Sequence, residues 1–304
     1  MNELDWVTKG TDGFEDELKR LEKAYSFVTT GTIGNSATGK PISFARIGTG
    51  PFRWHFNGAC HANEWITTPL LTRFVVEYAE AISGKKTFWG KSSEDLLARN
   101  SLFVVPMLNP DGVALARHGL TDDHPFSEGL YQWNRGSNRF HRWKANARGV
   151  DLNDQFPAYW EEEASRRGVT SPCARDYGGL GPLSEPEAAA LVAFTERNDF
   201  HAVIALHTQG EEIYWNYRGA EPPESRVWAE RMALAAGYRA VYLEGSDAGY
   251  KDWFIHRFGR PGFTVEAGWG RNPLPTDGFE ELYDDIARLL AEALDCSPAA
   301  TGRR

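Results

Sequence analysis

Cysteine is scarce in this chain: three residues in 304, at positions 60, 173 and 296. An odd number at such wide spacing offers no disulfide framework, and a reducing compartment suits it best. Long apolar runs are missing too. No stretch reaches the length of a membrane span, and the opening residues Met1-Asn2-Glu3-Leu4-Asp5-Trp6 carry no basic-then-apolar leader pattern. A cytoplasmic protein is therefore expected, although a trimmed leader is compatible with the same residues. Basic charge is in deficit: the formal net charge is −9, which argues against a non-specific nucleic-acid binder. Internal repeats, low-complexity tracts and linkers are absent as well. The composition, 41% hydrophobic and 25% charged, is an ordinary globular balance, and the length supplies one domain or at most two.

What is present is an alternation of apolar runs and helical patterns. Residues 13–24 have apolar side chains at helical spacing amid mixed charges, a surface helix. Thr29 to Arg46 reads as two strands around the turn Ala37-Thr38-Gly39-Lys40-Pro41. Arg53 to Asn57 is an aromatic, apolar run of the buried-strand kind, and Trp65 to about Ser83 a long amphipathic helix. Asn100 to Met107 is another such strand, and it runs into the turn signal Leu108-Asn109-Pro110-Asp111-Gly112. Arg117 to Asn153 is polar and dotted with Tyr131, Trp133, Phe140 and Trp143, which favours a packed, site-forming loop. Ser184 can cap a helix running to about Arg197, with Glu185 and Glu187 suited to its first turn. His201 to Leu206 is a strand, Glu224 to Ala236 a helix and Arg239 to Leu243 a strand. Glu244 to Tyr250 reads as a flexible loop, Phe263 to Val265 as a strand and Gly278 to Leu294 as a closing helix. The alternation predicts an α/β fold with a mainly parallel sheet, built as one domain over residues 1–304 with a helical extension at 1–24 packed on it.

Three of the apolar runs end in residues that bind metals or move protons: His61 with Glu64, His207, and Glu266. In a parallel sheet the carboxyl ends of the strands share one edge, so these residues can converge. His61 and Glu64 are three apart, which places them on one side of a helical turn. Two histidines and a glutamate are the ligand set of a catalytic zinc with one position left for water, whose pKa falls to roughly 7 there. A carboxylate outside the ligand set is then needed to take and return a proton, and Glu266 is the candidate. Each residue also has a plainer reading. A histidine at a strand end is usually a hydrogen-bonded, partly buried side chain, Glu64 alone suits a helix start, and Glu266 alone could pair with Arg271. Cys60 reads as a small core residue, and the other histidines as structural.

Taken together, His61-x-x-Glu64, Asn109-Pro110-Asp111-Gly112, Trp143-Lys144-x-Asn146, Gly149-Val150-Asp151-Leu152-Asn153, Ser184-Glu185-Pro186-Glu187, His207 and Thr264-x-Glu266 occur in the order seen in zinc carboxypeptidases of the carboxypeptidase A type. The resemblance runs from about Tyr25 to the final helix. Within that family the chain is most similar to the bacterial endopeptidases that cut peptidoglycan stem peptides between γ-D-glutamate and the diamino acid. The resemblance implies a central mixed, mostly parallel sheet of about eight strands flanked by helices. It also implies one zinc ion per chain held by His61, Glu64 and His207, with Glu266 as general base. The cation that polarises the scissile carbonyl falls on Lys144, with Arg142 as the alternative.

Departures from the family pattern bear on specificity. Exopeptidases of the family carry an Asn-Arg pair whose arginine binds the substrate's terminal carboxylate; here the pair is Asn153-Asp154. Aspartate repels a carboxylate, so an endopeptidase, or a substrate offering an ammonium, fits better. The position that sets side-chain preference falls on Lys251. Asp154 and Lys251 together would suit the zwitterionic end of meso-diaminopimelate; the plainer readings are a solvated loop acid and a lysine paired with Asp252. The family's mobile tyrosine has no clean counterpart: the count lands on Glu244, between Tyr242 and Tyr250. A carboxypeptidase or amidase for ordinary peptides, and a catalytically silent binder of wall peptides, are the competing functions.

Overall fold

Strands buried on both faces need no polar alternation; of the three central runs of the chain, those at 100–105 and 202–207 have none, while Arg53-Trp54-His55-Phe56-Asn57 alternates. In the computed structural model, which describes residues 6–7 and 11–298, these runs become β3 (Phe52–Asn57), β6 (Asn100–Val105) and β7 (Ala202–His207), and every residue of the last two is buried. They sit mid-sheet. The sheet has eight strands in the order β1-β2-β6-β3-β7-β10-β8-β9, where β1 is Val28–Asn35, β2 Pro41–Ile47, β8 Glu212–Tyr214, β9 Arg239–Val241 and β10 Gly262–Glu266. The pairs β6–β3, β3–β7, β7–β10 and β8–β9 are parallel; β1–β2, β2–β6 and β10–β8 are antiparallel. A two-stranded hairpin, β4 (Thr87–Phe88) with β5 (Lys91–Ser92), stands apart. The expected mixed, mostly parallel sheet of about eight strands is therefore present, with ten α-helices around it among the described residues.

Side-chain alternation along the strands divides the core into two layers. Trp54, Phe56, Leu102, Val104, Ile204 and Leu206 face the layer formed with the helices Thr67–Ser83, Glu224–Ala236 and Phe279–Cys296. Phe103, Val105, Val203 and Ala205 face the opposite layer, formed with Pro186–Asn198 and Tyr250–Phe258. His55, on that second face, stacks on Phe200 with centroids 4.9 Å apart, and burial lowers its pKa to about 3. It is a neutral core residue, as a histidine without site placement should be. The helix Phe14–Ala24 adds Phe14, Leu18 and Leu21 to the first layer. The remainder of the expected N-terminal extension, residues 1–5 and 8–10, lies outside the described residues.

Four local expectations change. The turn signal at Asn109 opens a helix, Pro110–His118, because the Asn109 side chain accepts the Gly112 N–H at 2.9 Å and Pro110 occupies the first turn. Ser184 does not cap its helix; its hydroxyl donates to Gln155 (3.2 Å), and Pro186 opens the helix instead. The polar segment 117–153 contains a helix, Ser127–Trp133, and its Leu130, Phe140 and Trp143 form a third apolar cluster with Ala62. The loop before Tyr250 is anchored at Asp247, which is buried under Tyr217 (2.7 Å), Arg218 (2.8 Å) and Arg166. No helix among the described residues is long and apolar enough to cross a membrane.

Candidate metal centre and its cavity

The end of β3 is where the site begins. Gly58 lies so close to Leu71, Thr67 and the Pro106 carbonyl that an added Cβ would sit 2.9 Å from Leu71. A side chain there would force Leu71 and Thr67 to shift. The chain then makes one 3₁₀ turn, Ala62–Glu64, rather than entering the long helix directly. Thr67 holds this turn: its hydroxyl accepts from the Ala59 N–H (2.7 Å) and donates to the Glu64 carbonyl (2.8 Å). In a 3₁₀ turn residues three apart eclipse, so His61 and Glu64 point the same way. His207 ends β7 and Glu266 ends β10, and the parallel register pairs these two residues directly.

Convergence follows. His61 Nδ1 lies 2.9 Å from Glu64 Oε1, His207 Nδ1 2.9 Å from Glu64 Oε2, and the two Nδ1 atoms 3.1 Å apart. One ligand atom from each of the three residues lies within 4.8 Å of the others, and all three side chains are buried. The Asn272 amide and the Thr208 N–H also donate to Glu64, each at 3.3 Å. Behind His61, Asp151 Oδ1 stands 3.2 Å from Nε2, while its Oδ2 is 2.8 Å from Lys144 Nζ. Asp151 is wholly buried and also accepts the Asn153 and Asp176 N–H groups.

The electrostatics follow from this crowding. Burial works against a charged His61, but Glu64 and Asp151 overcome it and raise the imidazole to about 9. Burial alone would raise Glu64; the two imidazoles instead hold it well below the usual carboxylate range. His207 is lowered, chiefly by burial. Burial, reinforced by the charge of Glu64, raises Glu266 to about 8. Two imidazoles and a carboxylate in mutual contact need a positive charge between them. A divalent ion meets that need with both imidazoles ligating as neutral bases, and the carboxylate behind His61 is the partner such a ligand uses to fix its ring. The donor set fits zinc.

A cavity of about 450 Å³ opens over these residues. His61, Glu64, Lys144, Glu266 and Arg142 line it, together with Asn63, Thr208, Gln209, Tyr214, Arg175, Gly270, Arg271 and Asn272. Asn153, Asp154 and Lys251 do not. Asn153 Oδ1 accepts from the Tyr250 N–H at 3.4 Å. Asp154 is buried and paired with Arg167 at 3.0 Å; burial and the charge of Asp151 raise its carboxyl to about 7. Lys251 is buried, pairs with Asp252 at 2.5 Å and donates to the Asn216 carbonyl at 2.6 Å, which is the plainer reading of that lysine. The pairing of Glu266 with Arg271, open in the sequence, is not among the ion pairs of the described residues. The structure adds Asp151, Asn272 and Arg175 to the site, and sets Arg271 on the cavity wall instead of in the pairing with Glu266 that the sequence allows. Asp151 was within reach, sitting inside the Gly149–Asn153 motif; the other three are loop residues without a pattern.

Two imidazoles and two carboxylates, gathered where adjacent parallel strands end and opening into a polar cavity, define a metal-dependent hydrolase. A family model described as zinc carboxypeptidase matches residues 14–279, and the chain belongs to that family, a family of zinc metallopeptidases. Among its relatives, the γ-D-glutamyl-L-diamino acid endopeptidase 1 of Lysinibacillus sphaericus is 45% identical over 279 residues, covering 92% of this chain and 70% of its own length. An uncharacterised Bacillus subtilis protein is 40% identical over 284 residues, covering 92% of this chain and 75% of its own. In fold, the chain is similar to bovine thrombin-activatable fibrinolysis inhibitor bound to a tick carboxypeptidase inhibitor, with a TM-score of 0.72, 19% identity and coverage of 94% and 95%.

Proposed function

We propose that this metallopeptidase hydrolyses bacterial peptidoglycan stem peptides at the bond between γ-D-glutamate and meso-diaminopimelate, working as a single catalytic unit with one zinc ion per chain. His61, Glu64 and His207 would hold the ion. The observation that carries the reading is their mutual approach within 4.8 Å, one strand away from Glu266, in a chain 45% identical to an enzyme named for γ-D-glutamyl-diamino acid cleavage. When bound there, zinc supplies Lewis acidity and lets water ionise near neutral pH. Glu266 accepts the proton lost by the attacking water and delivers it to the leaving amine. Its raised pKa suits both halves of that task, since a proton acceptor poised near the working pH also gives its proton back. Lys144 offsets the negative charge that develops on the carbonyl oxygen, with its ammonium oriented by Asp151, and Arg142 stands on the same cavity wall.

An endo mode of cleavage is supported by Asp154. The position that binds a terminal carboxylate in the family's exopeptidases holds a buried acid, and its ion-pair partner among the described residues is Arg167. Arg167 is shared with Glu163 and Asp176. The scarcity of cysteine keeps the cytoplasm as the expected compartment.

The test is incubation with a stem tetrapeptide and, separately, with a generic carboxypeptidase substrate, followed by mass analysis. Release of the fragment ending in D-glutamate is expected. Release of only the last residue of the plain peptide would make the protein an exopeptidase; no turnover on any wall fragment would make it a binding protein.

A further inference from the structure

The chain carries 42 acidic against 33 basic residues, so neutralised arginines are easy to come by. The cavity wall runs the other way: it holds Arg142, Lys144, Arg175 and Arg271 against Glu64 and Glu266. Two of the four cations are already engaged. Lys144 is 2.8 Å from Asp151, and Arg175 is 3.0 Å from Asp176. Arg142 and Arg271 are exposed and line the cavity, and neither is among the ion pairs of the described residues. Two guanidiniums left without counter-charges beside a reaction centre present a positive field and bidentate donors to whatever enters.

Asn153, Asp154 and Lys251, the residues assigned by resemblance to the leaving-group side, are absent from this wall and engaged elsewhere. The free arginines share their wall with none of these three, and we place them on the acyl side. An ordinary α-linked peptide has only neutral amides and a side chain on that side. A glutamyl residue linked through its γ-carboxyl is different: its α-carboxylate stays free, a few bonds from the carbonyl under attack.

Resting on the bond assignment above, we propose that Arg142 and Arg271 read the free α-carboxylate of the γ-linked glutamyl residue and so select γ-glutamyl over α-linked substrates. The pair is a specificity device on the acyl side.

Two synthetic stem peptides that share the same scissile γ-amide test this. One carries D-glutamate and the other D-isoglutamine, whose α-carboxyl is a neutral amide. Charge-assisted hydrogen bonds of this kind correspond to roughly ten- to a hundredfold in kcat/KM. The unmodified protein should prefer the free acid by that factor. In the double variant Arg142→Ala, Arg271→Ala the ratio should fall to near one, with zinc content and melting temperature unchanged, and Arg142→Lys, Arg271→Lys should recover part of it. Equal cleavage of both peptides by the unmodified protein, or full discrimination kept by the double alanine variant, would overturn the inference and leave the bond assignment standing. If neither γ-linked peptide is cut while a C-terminal substrate is, the bond assignment itself fails, and this inference with it.

Discussion

Replacing Asp151 by asparagine preserves size and hydrogen-bonding shape but removes one charge, and two neighbours depend on that charge. Asp151 is wholly buried, with His61 Nε2 at 3.2 Å and Lys144 Nζ at 2.8 Å. Burial would raise its carboxyl, but Lys144 and His61 overcome this and hold it well below the ordinary range. An acid whose folded pKa is depressed contributes stability above its unfolded pKa, near 3.9, and loses it as the pH falls through the folded value. The variant should therefore be destabilised to the same degree from neutral pH down to about 4, and progressively less so below that. Removing one partner of a buried ion pair costs about 3–5 kcal/mol. The Lys144 side chain keeps 14% exposure and can recruit water, which points to the lower end, about 3 kcal/mol. For a chain of this size that is a fall in melting temperature of roughly 5 °C. Loss of a carboxylate behind a ligating histidine typically weakens metal binding about 10- to 100-fold. Chelator competition for zinc and a melting series across pH measure the two effects separately. Zinc affinity and melting behaviour indistinguishable from the unmodified protein would refute the role assigned to Asp151.

Three further expectations concern the same site and its surroundings. Glu266→Gln should lower kcat/KM by about 10²–10⁴-fold while zinc content matches that of the unmodified protein; loss of the metal instead would show that this carboxylate is a ligand. Stripping the metal with a chelator should abolish turnover and lower the melting temperature, since an ion at about a thousand times its Kd contributes about 4 kcal/mol, and added zinc should restore both. Glu187 is wholly buried, accepts the Ala37 N–H at 2.9 Å, and is raised by burial to about 7. Because the folded protein then binds the proton more tightly than the unfolded chain, stability is lost as pH rises from about 4.5 through 7, by up to about 3 kcal/mol. The melting temperature of Glu187→Gln relative to the unmodified protein should accordingly improve between pH 5 and 8, and a pH-independent difference would count against that account.

The elements legible in advance were those with a strong local signature. The runs at Asn100–Met107 and His201–Leu206 are largely apolar and the run at Arg53–Asn57 is rich in aromatic side chains, which suits strands covered on both faces, and they form the centre of the sheet. The helices Trp160–Arg167 and Tyr250–Phe258 went unseen. The first is so polar that its pattern is that of a loop, and it is held to the rest of the fold by Arg166 and Glu163 on Asp247 and by Arg167 on Asp154. The second is buried over most of its length, so its sequence shows no polar face to mark a period.

The candidate site divides in the same way. His61, Glu64, His207 and Glu266 can be picked out of the sequence because each stands at the end of a strand pattern, and strand order in a parallel sheet carries strand ends to one edge. That part needs only residue type and position. Whether a charge is free for a ligand is a different property, because it depends on which opposite charge lies within a few ångströms, and such partners come from anywhere in the chain. Asp154 and Lys251 look available as residues and are engaged by Arg167 and Asp252, whereas Arg142 and Arg271 line the cavity without a carboxylate partner among the described residues. The residues that converge at the sheet edge, and the sheet itself, were thus written in the sequence by itself; the inventory of unspent charge, and with it the basis for choosing a substrate, arose only when the folded chain brought ion-pair partners together.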